Sequence, residues 1–132
     1  MKKTLCALIV ASCAAVSGCM SDEQIALSQS VIEALPDSIN GCIFLGNVDS
    51  SARITLSDAR YDLKYAAAML GATHVVETHV YTAQLGISRD YGPALSGRAY
   101  KCQKGQGPAS TDPKALLQYE YITVPFDDPG FF

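Results

Sequence analysis

Two cysteines about 60 residues apart, Cys42 and Cys102, constrain this 132-residue chain more than any other feature. Of the five cysteines, Cys6 and Cys13 fall in an apolar N-terminal run and Cys19 at its end, so only this pair lies in the part patterned like a folded domain. In an exported protein an even pair meets an oxidising compartment and reads as a structural disulfide. Closing a loop of that length contributes roughly 4 kcal/mol on the chain-entropy view, against about 5 to 15 kcal/mol for a whole domain. The rival assignments are a redox pair or two metal ligands. Neither cysteine sits in a CxxC, and no third or fourth ligand is spaced for tetrahedral zinc.

Export itself is read from residues 1–18. Lys2 and Lys3 form a basic start, and Leu5 to Val16 form an apolar run of about twelve residues, shorter than the roughly 20 that span a bilayer. The run ends in Val16-Ser17-Gly18-Cys19, which resembles the bacterial lipobox, whose cysteine is diacylated on sulfur before cleavage on its N-terminal side. The rival is an ordinary secretory signal with a chance cysteine. On the lipobox reading the only attached group is the covalent lipid on Cys19, with no other cofactor. The acyl chains bury dozens of CH2 groups at about 0.8 kcal/mol each, enough for stable anchoring. Met20 and Ser21 follow, and the first acid is Asp22, so the aspartate that retains many enteric lipoproteins in the inner membrane is missing. The expected location is the periplasmic face of the outer membrane, reached through the lipoprotein export and maturation machinery.

Loss of Lys2 and Lys3 with the signal changes 10 basic and 13 acidic residues to 8 and 13, a net charge of −5. Bulk electrostatics then disfavour nucleic acid as a partner. A charged fraction of 17% is too low for a disordered chain, and about 114 mature residues suffice for one small domain. The expected division is a signal peptide over 1–18, a lipidated start and polar tether over 19–29, an α+β domain over 30–102, and a linker with C-terminal extension over 103–132.

Within the domain, Ile25, Val31, Ile32 and Leu35 fit a helical face, while Ser30 to Leu35 fits a strand; strand is the expectation. Turn residues Pro36-Asp37 and Asn40-Gly41 lead into a second strand over Cys42 to Val48. Thr55 and Asp58 form a capping-box variant, and Leu56, Ala59, Leu63, Ala66, Ala67 and Leu70 recur at helical spacing with Arg60, Asp62 and Lys64 outside and Gly71 as the stop. Thr73 to Thr82 is rich in β-branched residues, and its alternation places Val76, Thr78 and Val80 on the face expected to meet the helix. Ala83 to Leu95 reads as a long connection, Ser96 to Cys102 as a returning strand, and Gln103 to Asp112 as a linker. Asp112-Pro113 starts a short helix through Tyr119, and Ile122 to Phe126 is extended. The sum is a small antiparallel or mixed sheet with one main packed helix and one disulfide.

The order of Val31, Cys42 to Val48, the helix around Ala59-Arg60-Tyr61-Asp62-Leu63 ending in Leu70-Gly71-Ala72-Thr73-His74-Val75-Val76, and Gly97-Arg98-Ala99-Tyr100-Lys101-Cys102 resembles the YjeI-like bacterial lipoproteins over about Ser30 to Cys102. More distantly it is similar to RcsF-type envelope-stress lipoproteins. The resemblance implies a small α/β fold and a lipid anchor, with stress sensing as the function of the more distant family. RcsF-type domains carry two bridges where this chain can form one, and the region after Cys102 has no counterpart.

Candidate chemistry is sparse. His74, His79 and Glu77 are metal-ligand types, but strand alternation leaves only Glu77 and His79 on one face, a weak pair. No GxSxG occurs and neither histidine stands by a nucleophile motif, so no catalytic residue and no enzyme is expected. Gly105-Gln106-Gly107-Pro108 lacks the lysine of a phosphate loop and reads as spacer. Tyr119, Tyr121, Phe126, Phe131 and Phe132 make the C-terminus aromatic, suited to covering the core or to docking on a partner or on lipid headgroups. The expectation is a non-enzymatic membrane-anchored protein acting through contacts with an envelope protein, with a metal- or small-ligand-binding module as the alternative.

Overall fold

The computed structural model of the chain describes residues 21–87 and 89–119. The signal, the lipidation site at Cys19, the extended segment expected at Ile122 to Phe126 and the aromatics beyond Tyr119 lie outside the described residues. The fold is α+β: helices α1 (Asp22–Ser30) and α2 (Leu56–Met69), with strands β1 (Ile32–Glu33), β2 (Ile43–Asp49), β3 (His74–Gln84) and β4 (Tyr91–Lys101). The four strands form one mixed sheet in the order β1-β3-β4-β2, with β1 parallel to β3 and the other pairs antiparallel.

From Asp22 onward, the segment expected as a polar tether is helical. Ser21 accepts from the Gln24 backbone N–H while the Gln24 side chain accepts from the Ser21 N–H, and Asp22 and Glu23 favour the first turn electrostatically. The helix's apolar residues Ile25, Ala26 and Leu27 are consecutive and make no stripe, which is why periodicity misses it; of the helix only Ser28 is buried, donating to the Tyr61 carbonyl at 2.5 Å. Because α1 runs to Ser30, the strand expected over Ser30 to Leu35 shrinks to Ile32 and Glu33.

Helix α2 follows the sequence pattern. Thr55 caps it by accepting from the Asp58 N–H, Ala59, Leu63 and Ala67 are buried, and Gly71 ends it at φ 84°. Ala72 N–H to Ala67 O and Gly71 N–H to Ala68 O complete a Schellman turn, which needs the left-handed backbone glycine adopts without strain. The helix rests on the sheet through small residues: Ala59, Leu63, Ala67 and Ala72 join Val31, Val48, Val75, Leu95 and Ala99 in the main core. A Cβ on Gly97 would meet Leu63 Cδ2 at 3.3 Å and the Val76 carbonyl oxygen at 2.9 Å, so glycine there sets how closely helix and strands approach. On the other side of the sheet, Ala34, Ile39, Val76 and Cys102 form a smaller cluster with Cys42 and Tyr100.

Two expectations about β3 are overturned together. Val75, not Val76, faces α2, while Val76 packs by the disulfide. In the β3–β4 ladder Glu77 pairs with Gly97 and His79 with Ser96, so Thr78 is an extra, bulged residue that shifts the alternation and returns Val80 to the helix side. The long connection expected over Ala83 to Leu95 is also mostly ladder. Pairing continues to Gln84 opposite Tyr91, leaving 85–90 as the loop.

The linker expected after Cys102 is instead a strap laid back on the domain, and the helix expected up to Tyr119 is one 3-10 turn, Pro113–Ala115, capped by Asp112. His74 Nε2 lies 2.8 Å from the Pro108 carbonyl oxygen. The Glu33 N–H donates to Thr111 Oγ1 at 3.1 Å and the Asp112 N–H to the Glu33 carbonyl at 3.4 Å, covering the outer edge of β1. Tyr119 OH lies 2.8 Å from Thr82 Oγ1. Proline, glycine and small polar residues allow this close course without giving a periodic signal.

Candidate functional site

Beneath the strap lies a buried ionic cluster contributed by three elements. Glu33 comes from β1, Glu77 from the helix face of β3, and Arg60 from α2, one step round from Ala59. Arg60 is therefore turned inward rather than out with Asp62 and Lys64 as its spacing suggests. Arg60 Nε donates to Glu77 Oε1 at 2.5 Å, its Nη2 donates to Glu77 Oε2 at 3.4 Å, and the same Nη2 donates to the Leu117 carbonyl at 2.7 Å. The Leu117 N–H donates to Glu77 Oε2 at 2.7 Å, so the strap is gripped through both backbone groups of one residue.

Glu33 is less well served. Its side chain is 2% exposed, its Oε2 stands 3.6 Å from Arg60 Nε, and that oxygen has no hydrogen-bond partner. Burial, and then the neighbouring Glu77 carboxylate, push the Glu33 carboxyl up to about 7, against the opposing pull of Lys64 and Arg60. One arginine between two buried carboxyls neutralises one of them, and the cheaper state for the other is to keep its proton.

Beside this cluster opens a cavity of about 380 Å³ lined by Gln29, Glu33, Ser57, Arg60, Tyr61, Lys64, Thr111 and Leu116. Ser57, Arg60, Tyr61 and Lys64 recur at three and four residues, one face of α2.

The residues singled out from sequence fare differently. Cys42 and Cys102 are disulfide-bonded, with Cα atoms 4.4 Å apart, joining the start of β2 to the end of β4. Glu77 and His79 are not brought together: the Thr78 bulge leaves Glu77 buried against Arg60 and His79 exposed, its Nδ1 3.1 Å from Thr78 Oγ1. His74 is buried, between Thr73 Oγ1 and the Pro108 carbonyl. Among the described residues no group of three or more His, Cys, Asp and Glu is placed to hold a metal ion, and no helix is long and apolar enough to cross a membrane. Sequence reasoning missed Glu33, Arg60 and Lys64. The available signal was an acid between apolar Ile32 and Ala34, a position a strand buries.

A second feature is the outer end of the β3–β4 hairpin. Beta-1 pairs only with His74 and Val75, and β2 reaches only Ser96, so the ladder from Val80–Leu95 to Gln84–Tyr91 extends past both neighbouring strands. The segment 50–53 supports one side, with Ser50 N–H donating to Leu95 O and Arg53 N–H to Pro93 O. Tyr81, Ile87 and Tyr91 are exposed on the extension, with Ile54 exposed beside that support. Comparison of the chain with protein-family models, with curated proteins and with solved structures gives no match.

Proposed function

We propose that this chain is a lipid-anchored, non-enzymatic protein of the bacterial envelope that acts through contacts with another envelope protein. The observation that supports it best is the hairpin extension, which carries Tyr81, Ile87 and Tyr91 into solvent at the end of the ladder opposite the disulfide. Three exposed apolar side chains on one hairpin suit a protein partner with an apolar patch of its own, although Ile43, Phe44, Met69 and Leu70 are exposed elsewhere on the domain. The lipobox-like Val16-Ser17-Gly18-Cys19 supports diacylation of Cys19, with anchoring at the periplasmic face of the outer membrane and signal cleavage before that cysteine. Reporting on envelope stress is the role this reading favours for the contact.

The test is photo-crosslinking in cells from a reactive residue placed at Ile87 or Tyr91, against one at Asp37 on the far side of the sheet. A discrete crosslinked envelope protein from the hairpin positions alone is expected; equal or absent crosslinking from all three overturns the reading. The anchor is tested separately by Cys19→Ser, expected to abolish acylation and release the protein from membranes. Continued membrane association with unchanged cleavage overturns the lipobox assignment.

A further inference from the structure

We propose that the cavity between α1, α2 and the strap is a binding site for a small monoanionic carboxylate, held by Lys64 and the hydrogen-bond donors around it. Its volume of about 380 Å³ is within the usual size of small-ligand sites, about 300–1,000 Å³. The inventory of the wall sets the sign of the ligand. Lys64 offers an ammonium with three donors, Gln29 an amide, and Ser57, Tyr61 and Thr111 a hydroxyl each. Thr111 Oγ1 already accepts from the Glu33 N–H, so its own proton is what it has left to give. The hydroxyls and the amide can turn to give or accept, whereas the Lys64 ammonium can only donate, and the complement to that fixed group is an acceptor-rich anion.

Charge then fixes how negative that anion is. Arg60 is matched by Glu77 at 2.5 Å, while among the described residues no carboxylate lies within ion-pair distance of Lys64. Glu33, the one acid in the wall, keeps its proton up to about pH 7. One uncompensated positive charge remains, matching one negative charge rather than the two of a phosphate dianion. A cation would require Glu33 to ionise where Glu77 already opposes it. Leu116 supplies apolar contact for the hydrocarbon part of the ligand.

The charged groups that face Glu33 are Arg60 and Lys64 from α2 and Glu77 from β3, while α1 and the strap contribute uncharged Gln29, Thr111 and Leu116 to the wall. Loss of the Glu33 proton adds a negative charge beside the ligand, so affinity falls as pH rises from 6 to 8.

The full chain in detergent, titrated calorimetrically with N-acetylalanine, inorganic phosphate and methylammonium, tests the proposal. Saturable binding of N-acetylalanine at pH 6 is expected, weaker by threefold or more at pH 8 and weaker by tenfold or more in Lys64→Met, with Lys64→Arg restoring most of the loss. Ser57→Ala, in the exposed first turn of α2, gives an independent readout, expected to weaken binding two- to threefold. No saturable binding at pH 6, unchanged affinity in both Lys64→Met and Ser57→Ala, or preference for phosphate or methylammonium overturns the proposal.

Discussion

The strap from Gln103 to Tyr119 is held at two places by different chemistry. Near its start the grip is covalent: the Cys42–Cys102 bridge fixes where the strap leaves β4, and His74 meets the Pro108 carbonyl. Near its end the grip is ionic, with Arg60 and Glu77 holding both backbone groups of Leu117 and Glu33 buried alongside. The first depends on the redox state of two thiols, the second on the Arg60 charge and on whether Glu33 holds its proton. A single segment can thus be loosened from either end by different solution conditions.

The largest way to break this comparison is Arg60→Met, which leaves Glu77 buried without its counter-charge. A loss of about 3–5 kcal/mol at pH 8 is expected by urea denaturation, shrinking at pH 5 where Glu33 holds its proton. Replacing both cysteines, Cys42→Ser with Cys102→Ser, is expected to cost about 4 kcal/mol by the same measurement, with no pH dependence between 5 and 8.

Glu33→Gln sharpens the comparison in the opposite direction. The folded-state pKa of Glu33 is raised from 4.5 to about 7, so the native state holds the proton more tightly than the unfolded chain. The stabilisation contributed by this carboxyl is therefore fully present below about pH 4.5, is lost as pH rises toward 7, and levels off above it. The glutamine variant is expected to remove that slope and to stabilise the protein at pH 8 by about 2–3 kcal/mol; an unchanged slope would assign the pH dependence elsewhere. Smallest is Thr111→Val, which leaves the Glu33 N–H without its acceptor. A loss of about 1–2 kcal/mol is expected, with faster hydrogen exchange at Glu33 and little change at Cys102.

Elements with a strong period or a cap were legible in the sequence. Helix α2 runs from Leu56 to Met69 behind Thr55, and the strands around Cys42 and Cys102 lie side by side with the bridge between them. Helix α1 was not legible by periodicity because its apolar residues, Ile25, Ala26 and Leu27, are consecutive and fall on different faces, although Ser21 and Gln24 carry a capping-box spacing. The outer half of the hairpin was hidden by Gly92 and Pro93, residues that read as loop. In the fold Pro93 pairs with Thr82, and a Cβ on Gly92 would run into the Arg53 carbonyl. The ionic cluster was hidden for a different reason. Glu33, Arg60 and Glu77 are far apart in the chain, and each alone looks like a solvated charge; only the parallel pairing of β1 with β3 brings the two acids together.

The extra residue at Thr78 makes the hairpin a text read in two frames. Before it, odd-numbered residues such as Val75 and Glu77 face α2; after it, even-numbered Val80 does. Shortening β3 by that one residue would restore a single frame along the ladder. Glu77, His79 and Val80 would then follow one another in plain alternation, with Glu77 and Val80 still toward α2 and His79 still outward. Most strands that lose a residue turn half their side chains over. This one keeps every partner, because the residue removed is the spare the ladder never paired.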